Sequence, residues 1–177
     1  LRSRILKAFF VVTCVPLLLL TVITGRGDGQ RTLEETSAQL QESADAIARD
    51  VDAYVGEHLR AVTAIASAVP RNAPLAGLLD HTLVVHHKVQ SGFRTMLAAD
   101  TAGMIVAADP ALPVTQTGTQ FRYIGDREYF KGPMTTGKPF VSDAFMGRGF
   151  GSDPIVALSA PILDGGGRPR GIVEGSL

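Results

Sequence analysis

The chain has 177 residues, 17 of them basic and 17 acidic, so its formal charge is zero. That length holds one ordinary domain plus an anchor, and the charge balance removes any electrostatic case for nucleic acid. The single cysteine, Cys14, excludes an intrachain disulfide and a cysteine-based zinc cluster. A start at Leu1 and an end at Leu177, inside an apolar strand pattern, are expected of a piece cut from a longer protein.

Residues 8–24 (AFFVVTCVPLLLLTVIT) carry no charge and come after Arg2, Arg4 and Lys7. A spanning helix needs about 20 apolar residues, with about 17 to 25 tolerated. Ile5 and Leu6 lengthen the run, and Lys7 can snorkel to the headgroups. The basic flank puts residues 1–7 in the cytoplasm as a short tip and everything after Gly25 outside the inner membrane. A cleaved signal peptide is the alternative. Its apolar region is typically about 7 to 15 residues, ending in a small-residue cleavage site. Here the run is longer and Ile23-Thr24-Gly25 suits cleavage poorly, so residues 8–24 are read as a transmembrane anchor. Both readings export the remainder of the chain.

A Gly-rich linker is expected over 25–31, then a long helix over 32–69, roughly 57 Å at about 1.5 Å per residue. Leu40, Ala44, Ile47, Val51, Tyr54 and His58 recur at alternating steps of four and three, with charges between them, which is heptad spacing. Beyond Tyr54 the stripe moves to Val55, Leu59, Val62, Ala66 and Val69. The helix is thus expected to pair with a second copy near its start and with its own domain near its end. Two helices split near Gly56 are the alternative. Pro70 and Pro74 stop the helix, and 75–89 reads as a shorter one.

From Phe93 the period changes to two. Strands are expected over 93–99 and 104–108, joined by an Asp100-Thr101-Ala102-Gly103 turn. A loop with Pro110, Pro113 and Gly118 comes next, then a short helix over 127–134 capped by Asp126. Phe140 opens another strand. Residues 155–163 and 171–177 form a last hairpin across Asp164-Gly165-Gly166-Gly167. In it Val156, Leu158, Ala160 and Ile162 make a core face, while Ala157 and Ser159 are small enough to line a cavity.

The fold class is therefore α+β: an N-terminal transmembrane helix, a long helix, then an antiparallel sheet with short covering helices. The runs IGDREYFKGPMTTGKPFVSDAF and DPIVALSAPILDGGGRPRGIVEGSL resemble the extracytoplasmic Cache (PAS-like) sensor domains of bacterial transmembrane receptors. The resemblance covers about 32–177 and is strongest over 123–177. It implies a five-stranded sheet with an α/β core over 93–177, and ligand held between sheet and covering helix. It also implies a histidine kinase, diguanylate cyclase or chemoreceptor region elsewhere in the full protein. Single and double Cache arrangements both fit.

The resemblance implies that Arg127 grips a carboxylate, with Tyr129 and Phe130 as the aromatic pair, Tyr123 upstream and Phe145 on the third strand. A guanidinium fork matches a carboxylate, and aromatic faces exclude water. The acid that holds a ligand ammonium in the amino-acid sensors falls at Ser176, with Glu174 two residues earlier on the same face. That loss, and the absence of the Trp that the resemblance implies in the aromatic pair, favour a carboxylate or another small polar ligand over an amino acid. Asp143 meets either a polar ligand or a strand end. Plainer roles exist for Arg127 as a surface residue and for Phe130 as core.

His81, His86 and His87 do not share a helix face as metal ligands would, and read as a solvated face. The 147–151 run GRGFG lacks a phosphate loop's Lys-Ser/Thr end. Neither a catalytic constellation nor a cofactor motif is present, so this stretch is read as a non-enzymatic sensor module of the inner membrane, dimeric through its long helix. The rival reading is a periplasmic dimerisation module without ligand.

Overall fold

A computed structural model describes residues 2–112 and 119–177, with side chains described over 13–20, 37–112 and 121–177. Helix α1 runs Arg2–Ala68. The backbone stays helical through 25–31, where the glycines point to a linker, and through Gly56. Glycine costs about 1 kcal/mol per site against alanine, but extending an existing helix is far cheaper than starting one. The chain divides between Asp52 and Ala53 into two compact units.

In the first unit Leu17, Leu18, Leu19 and Leu20 are exposed, as are Leu40, Ile47 and Val51 of the heptad stripe. Among the described residues no helix is long and apolar enough to cross a membrane. The side chains of 8–12 and 21–24, which complete the expected anchor, lie outside the described residues.

The second unit holds α1 from Ala53, α2 (Leu78–Val89), β1 (Thr95–Asp100), β2 (Ile105–Asp109), α3 (Thr119–Arg122), α4 (Glu128–Thr136), β3 (Phe140–Val141), β4 (Phe145–Met146), β5 (Pro154–Ile155), β6 (Ala157–Leu163) and β7 (Pro169–Ser176). Five strands form an antiparallel sheet in the order β2-β1-β7-β6-β3, and β4 pairs with β5 apart from it. Pro113 and Gly118 of the intervening loop lie outside the described residues.

Strand periodicity sends alternate side chains to two cores. Met96, Ala98, Leu158, Ala160, Ile162 and Val173 pack with Val62, Ile65 and Ala66 of α1 and Leu79 and Leu83 of α2. Leu97, Ala99, Ala157 and Ile172 pack with Ile124, Tyr129 and Phe130 on the opposite face. The stripe shift after Tyr54 is visible here: Val62, Ala66 and Val69 are buried in their own domain, Val55 and Leu59 pack partly buried against the same core, and Ile65, outside the expected stripe, joins them. His58 belongs to the same packing rather than to a seam: it is buried, its ring lies 4.1 Å from Tyr54 and 4.9 Å from Phe93, and its Nδ1 is 2.8 Å from the Tyr54 carbonyl oxygen.

Both hairpin turns rest on an aspartate. Asp100 Oδ1 accepts from the backbone N–H of Ala102 and Met104, and Asp164 Oδ1 does the same from Gly166 and Arg168. At Gly103 the chain has φ 77, and an added Cβ would stand 2.6 Å from Gly125 Cα. The Gly103 carbonyl accepts from Ile124 N–H at 2.8 Å, so this turn anchors the segment that leads into α4. His87 is not a solvated residue: its Nδ1 lies 2.6 Å from Asp109 Oδ2 and its Nε2 2.9 Å from the Phe93 carbonyl oxygen, tying α2 to the sheet.

Gly103→Ala is expected to cost about 1–3 kcal/mol, from the left-handed backbone and the Gly125 contact together. Urea denaturation measures it, and a loss below about 0.5 kcal/mol would show that the turn relaxes freely.

Candidate functional site

Helix α4 closes the sheet face opposite α1. Its N-cap is Arg127, in extended backbone and without a side-chain cap bond, and Gly137 ends it in the left-handed conformation. Asp126, expected as the cap, is drawn elsewhere: its two carboxylate oxygens accept from Arg148 at 3.0 and 2.8 Å. That pairing holds the Asp126 carboxyl below its ordinary range and raises the Arg148 guanidinium. Arg148 also donates to the Tyr123 carbonyl at 2.6 Å, so it links the turn after β4 to the approach of α4.

A cavity of about 160 Å³ lies between the sheet and these covering segments. Leu97, Thr95, Glu174 and Ser176 form its floor, Tyr129 and Ile124 one wall, and Phe145, Arg148, Phe150, Asp153 and Arg94 the other side. Register explains the floor: Glu174 pairs with Leu97 and Ser176 with Thr95, all four on the α4 face. Arg94 is bonded to Asp153 at 2.5 Å.

Glu174 is the unusual member. It is 1% exposed, Oε1 accepts from Ser176 Oγ at 2.6 Å, and Oε2 makes no hydrogen bond among the described residues. Burial pushes its carboxyl up to about 8, against a smaller opposing effect of the Ser176 hydroxyl. Burial also raises the Tyr129 hydroxyl, with a further contribution from the Glu174 charge.

A second cavity, about 320 Å³, is lined by Arg127, Glu128, Tyr129, Phe140, Ser142, Asp143 and Phe145 among others. Tyr129 and Phe145 stack at 5.5 Å and 18° and line both cavities, so the pair forms a shared wall. The Arg127 guanidinium lies 5.3 Å from the Phe145 ring centre and makes no ion pair among the described residues.

The expected site residues therefore divide. Arg127, Tyr129, Asp143 and Phe145 meet at the second cavity, and Tyr129, Phe145 and Ser176 at the first. Ser159 lines neither: fully buried, it donates to the Tyr129 carbonyl at 2.7 Å and fixes α4 to β6. Tyr123 lines neither and is 41% exposed. Sequence reasoning missed Arg94, Arg148 and Phe150. The 147–151 run lacks the ending of a phosphate loop, yet it supplies a cavity wall. Glu174 had a sequence signal, a lone acid in the apolar strand GIVEGS.

No protein-family profile matches this chain, and no curated protein matches its sequence. Solved structures do match in fold. The ligand-binding domain of the Pseudomonas fluorescens chemoreceptor CtaA, in complex with L-serine, has a TM-score of 0.62 at 16% identity, over 81% of this chain and 60% of that one. The Pseudomonas aeruginosa amino-acid chemoreceptor PctB, in complex with L-arginine, gives 0.61 at 17%, over 78% and 51%. PctC of the same organism, in complex with GABA, gives 0.58 at 17%, over 80% and 61%. The chain thus spans less than two thirds of each. Its fold is the Cache-type fold of chemoreceptor ligand-binding domains.

Proposed function

We propose that the chain is the ligand-sensing module of a bacterial transmembrane signalling receptor, and that a small polar ligand binds beneath α4. The observation that carries this reading is Glu174: a buried carboxyl with one oxygen lacking any partner among the described residues, facing a cavity. Burying such a group without compensation is costly, and a ligand donor supplies the compensation. Glu174 takes the part of the ammonium-binding acid that the sequence resemblance placed at Ser176, while Ser176 holds its second oxygen. This brings ligands with an ammonium group back beside plain carboxylates. The named ligands of the similar domains, L-serine, L-arginine and GABA, support that widening. Arg127 lies beyond the Tyr129–Phe145 wall, in the second cavity, where its guanidinium, in no ion pair among the described residues, suits a carboxylate bound there separately.

In this reading residues 8–24 anchor the chain in the inner membrane and the sensor unit lies on the outer side. Ligand binding biases α1, which contributes Val62 and Ile65 to the core beneath the site. A differential affinity of a few kcal/mol between two arrangements of α1 is enough to signal. The exposed stripe of Leu40, Ile47 and Val51 supports a homodimer along that helix.

Three outcomes are expected. Screening the whole chain against amino acids, amines and small carboxylates should yield a saturable rise in melting temperature. At about 100-fold over Kd the rise is about 5–15 °C. It should shrink but persist in Glu174→Gln protein that still folds, because the amide keeps an acceptor oxygen and loses the charge. No shift from any compound, with a stable dimer, would move the assignment to a ligand-free dimerisation module.

Ile47→Asp should shift the chain from dimer to monomer in sedimentation experiments, and an unchanged mass would remove the helix seam.

The third concerns pH. Glu174 holds its proton more tightly folded (about 8) than at its ordinary value of 4.5, so the folded state binds the extra proton between these values. Its contribution to stability is full below about 4.5, falls as pH rises to about 8, and is flat above. Urea melts should therefore show wild type losing stability relative to Glu174→Gln across that window. Parallel curves would contradict a buried, neutral Glu174.

A further inference from the structure

We infer that the cavity exchanges a proton for its ligand: an ammonium group enters as the proton on Glu174 leaves to solvent. The inference rests on the ligand-sensing reading and concerns how that same site is regulated.

The geometry carries it. Glu174 lies on the cavity floor at 1% exposure, and among the described residues its carboxyl has one hydrogen bond, from Ser176. The charged and titratable groups around the cavity are Tyr129 from α4, Arg94 ahead of β1, and Arg148 and Asp153 from the turn between β4 and β5. None of them bonds to the Glu174 carboxyl. Both guanidiniums are already committed, Arg94 to Asp153 and Arg148 to Asp126 in a two-pronged pair. An ionised Glu174 would thus be a buried charge without a counterion, and a carboxyl so placed holds its proton instead. Burial raises this group in the expected direction.

A ligand ammonium changes the balance. It brings the missing positive charge and donates to Oε2, so the carboxylate becomes the favoured form. The O–H bond of Glu174 breaks, its proton goes to solvent, and the carboxylate oxygen accepts from the ammonium N–H. Site charge is zero before, from the neutral acid, and zero after, from the ion pair. By linkage, affinity for a cationic ligand then rises with pH while Glu174 is protonated, and levels off once it is ionised. A ligand without an ammonium group gains nothing from the exchange. The device makes the module a joint reader of ligand and acidity.

The test is calorimetric titration of the whole chain with L-serine, L-arginine, GABA and succinate as probes. Each is run in two buffers of matched pH and different ionisation enthalpy. The expected result is release of about one proton per bound ammonium probe near pH 6, with affinity rising about tenfold per pH unit up to about pH 7 and flattening above about 8. Succinate should release none, and Glu174→Gln should show neither proton release nor the pH slope. Should that variant fail to fold, carboxyl ¹³C NMR of the wild type serves instead. One glutamate resonance should be protonated at neutral pH and ionise when the probe is added. Ammonium probes binding without proton release near pH 6 would overturn the exchange and leave the sensor reading standing. If no probe binds, the sensor reading falls and the exchange falls with it.

Discussion

The register of β7 is the constraint on which the rest depends. This strand lies at the centre of the sheet, hydrogen-bonded to β1 and β6 and buried on both faces. Its two-residue period sends Val173 toward α1 and α2 and sends Ile172, Glu174 and Ser176 toward α4. A slip of one residue would place a carboxyl in the aliphatic core and a valine in the cavity floor. The Asp164 turn resists that slip at one end. At the other, Arg94 N–H donates to the Ser176 carbonyl at 2.7 Å. Arg170 adds a long-range tie, donating to the carbonyls of Pro70 and Ala73 just beyond α1.

The two sides of this strand serve different ends. On one, aliphatic packing joins the sheet to α1, the element that continues to the N-terminal segment. On the other, the same strand presents a polar floor under a helix held by one Ser159 bond and by the aromatic contacts of Tyr129 and Phe130. A change on the cavity side therefore has a short path through a single strand to the helix on the opposite face. Close-packed interiors transmit such displacements because they have little room to absorb them.

Much of the fold was legible in the chain. The two Asp-x-x-Gly turns, the shift of the apolar stripe after Tyr54 and the alternation in 156–162 each arise from local geometry. Local signals failed where tertiary contacts decided. Asp126 looks like a helix cap until Arg148, 22 residues later, claims its carboxylate. The 25–29 glycines look like a break until the helix on either side carries through them. His87 looks solvated until Asp109 and Phe93 meet it. Half the site was hidden in the same way. Arg127, Tyr129 and Phe145 stood in a recognisable pattern, whereas Arg94, Arg148 and Phe150 reach the cavity only because the β4–β5 hairpin folds over the start of β1.

Methyl NMR of the whole chain, labelled at isoleucine, leucine and valine and titrated with L-serine, L-arginine and GABA, tests the central claim most directly. Leu97, Ile105, Ile124 and Ile155 line the first cavity. Saturable shifts are expected at these four methyl-bearing residues, while Leu79 and Leu83 on the far face move less. Shifts confined to Leu40, Ile47 and Val51, or none at any methyl, would contradict a ligand site beneath α4.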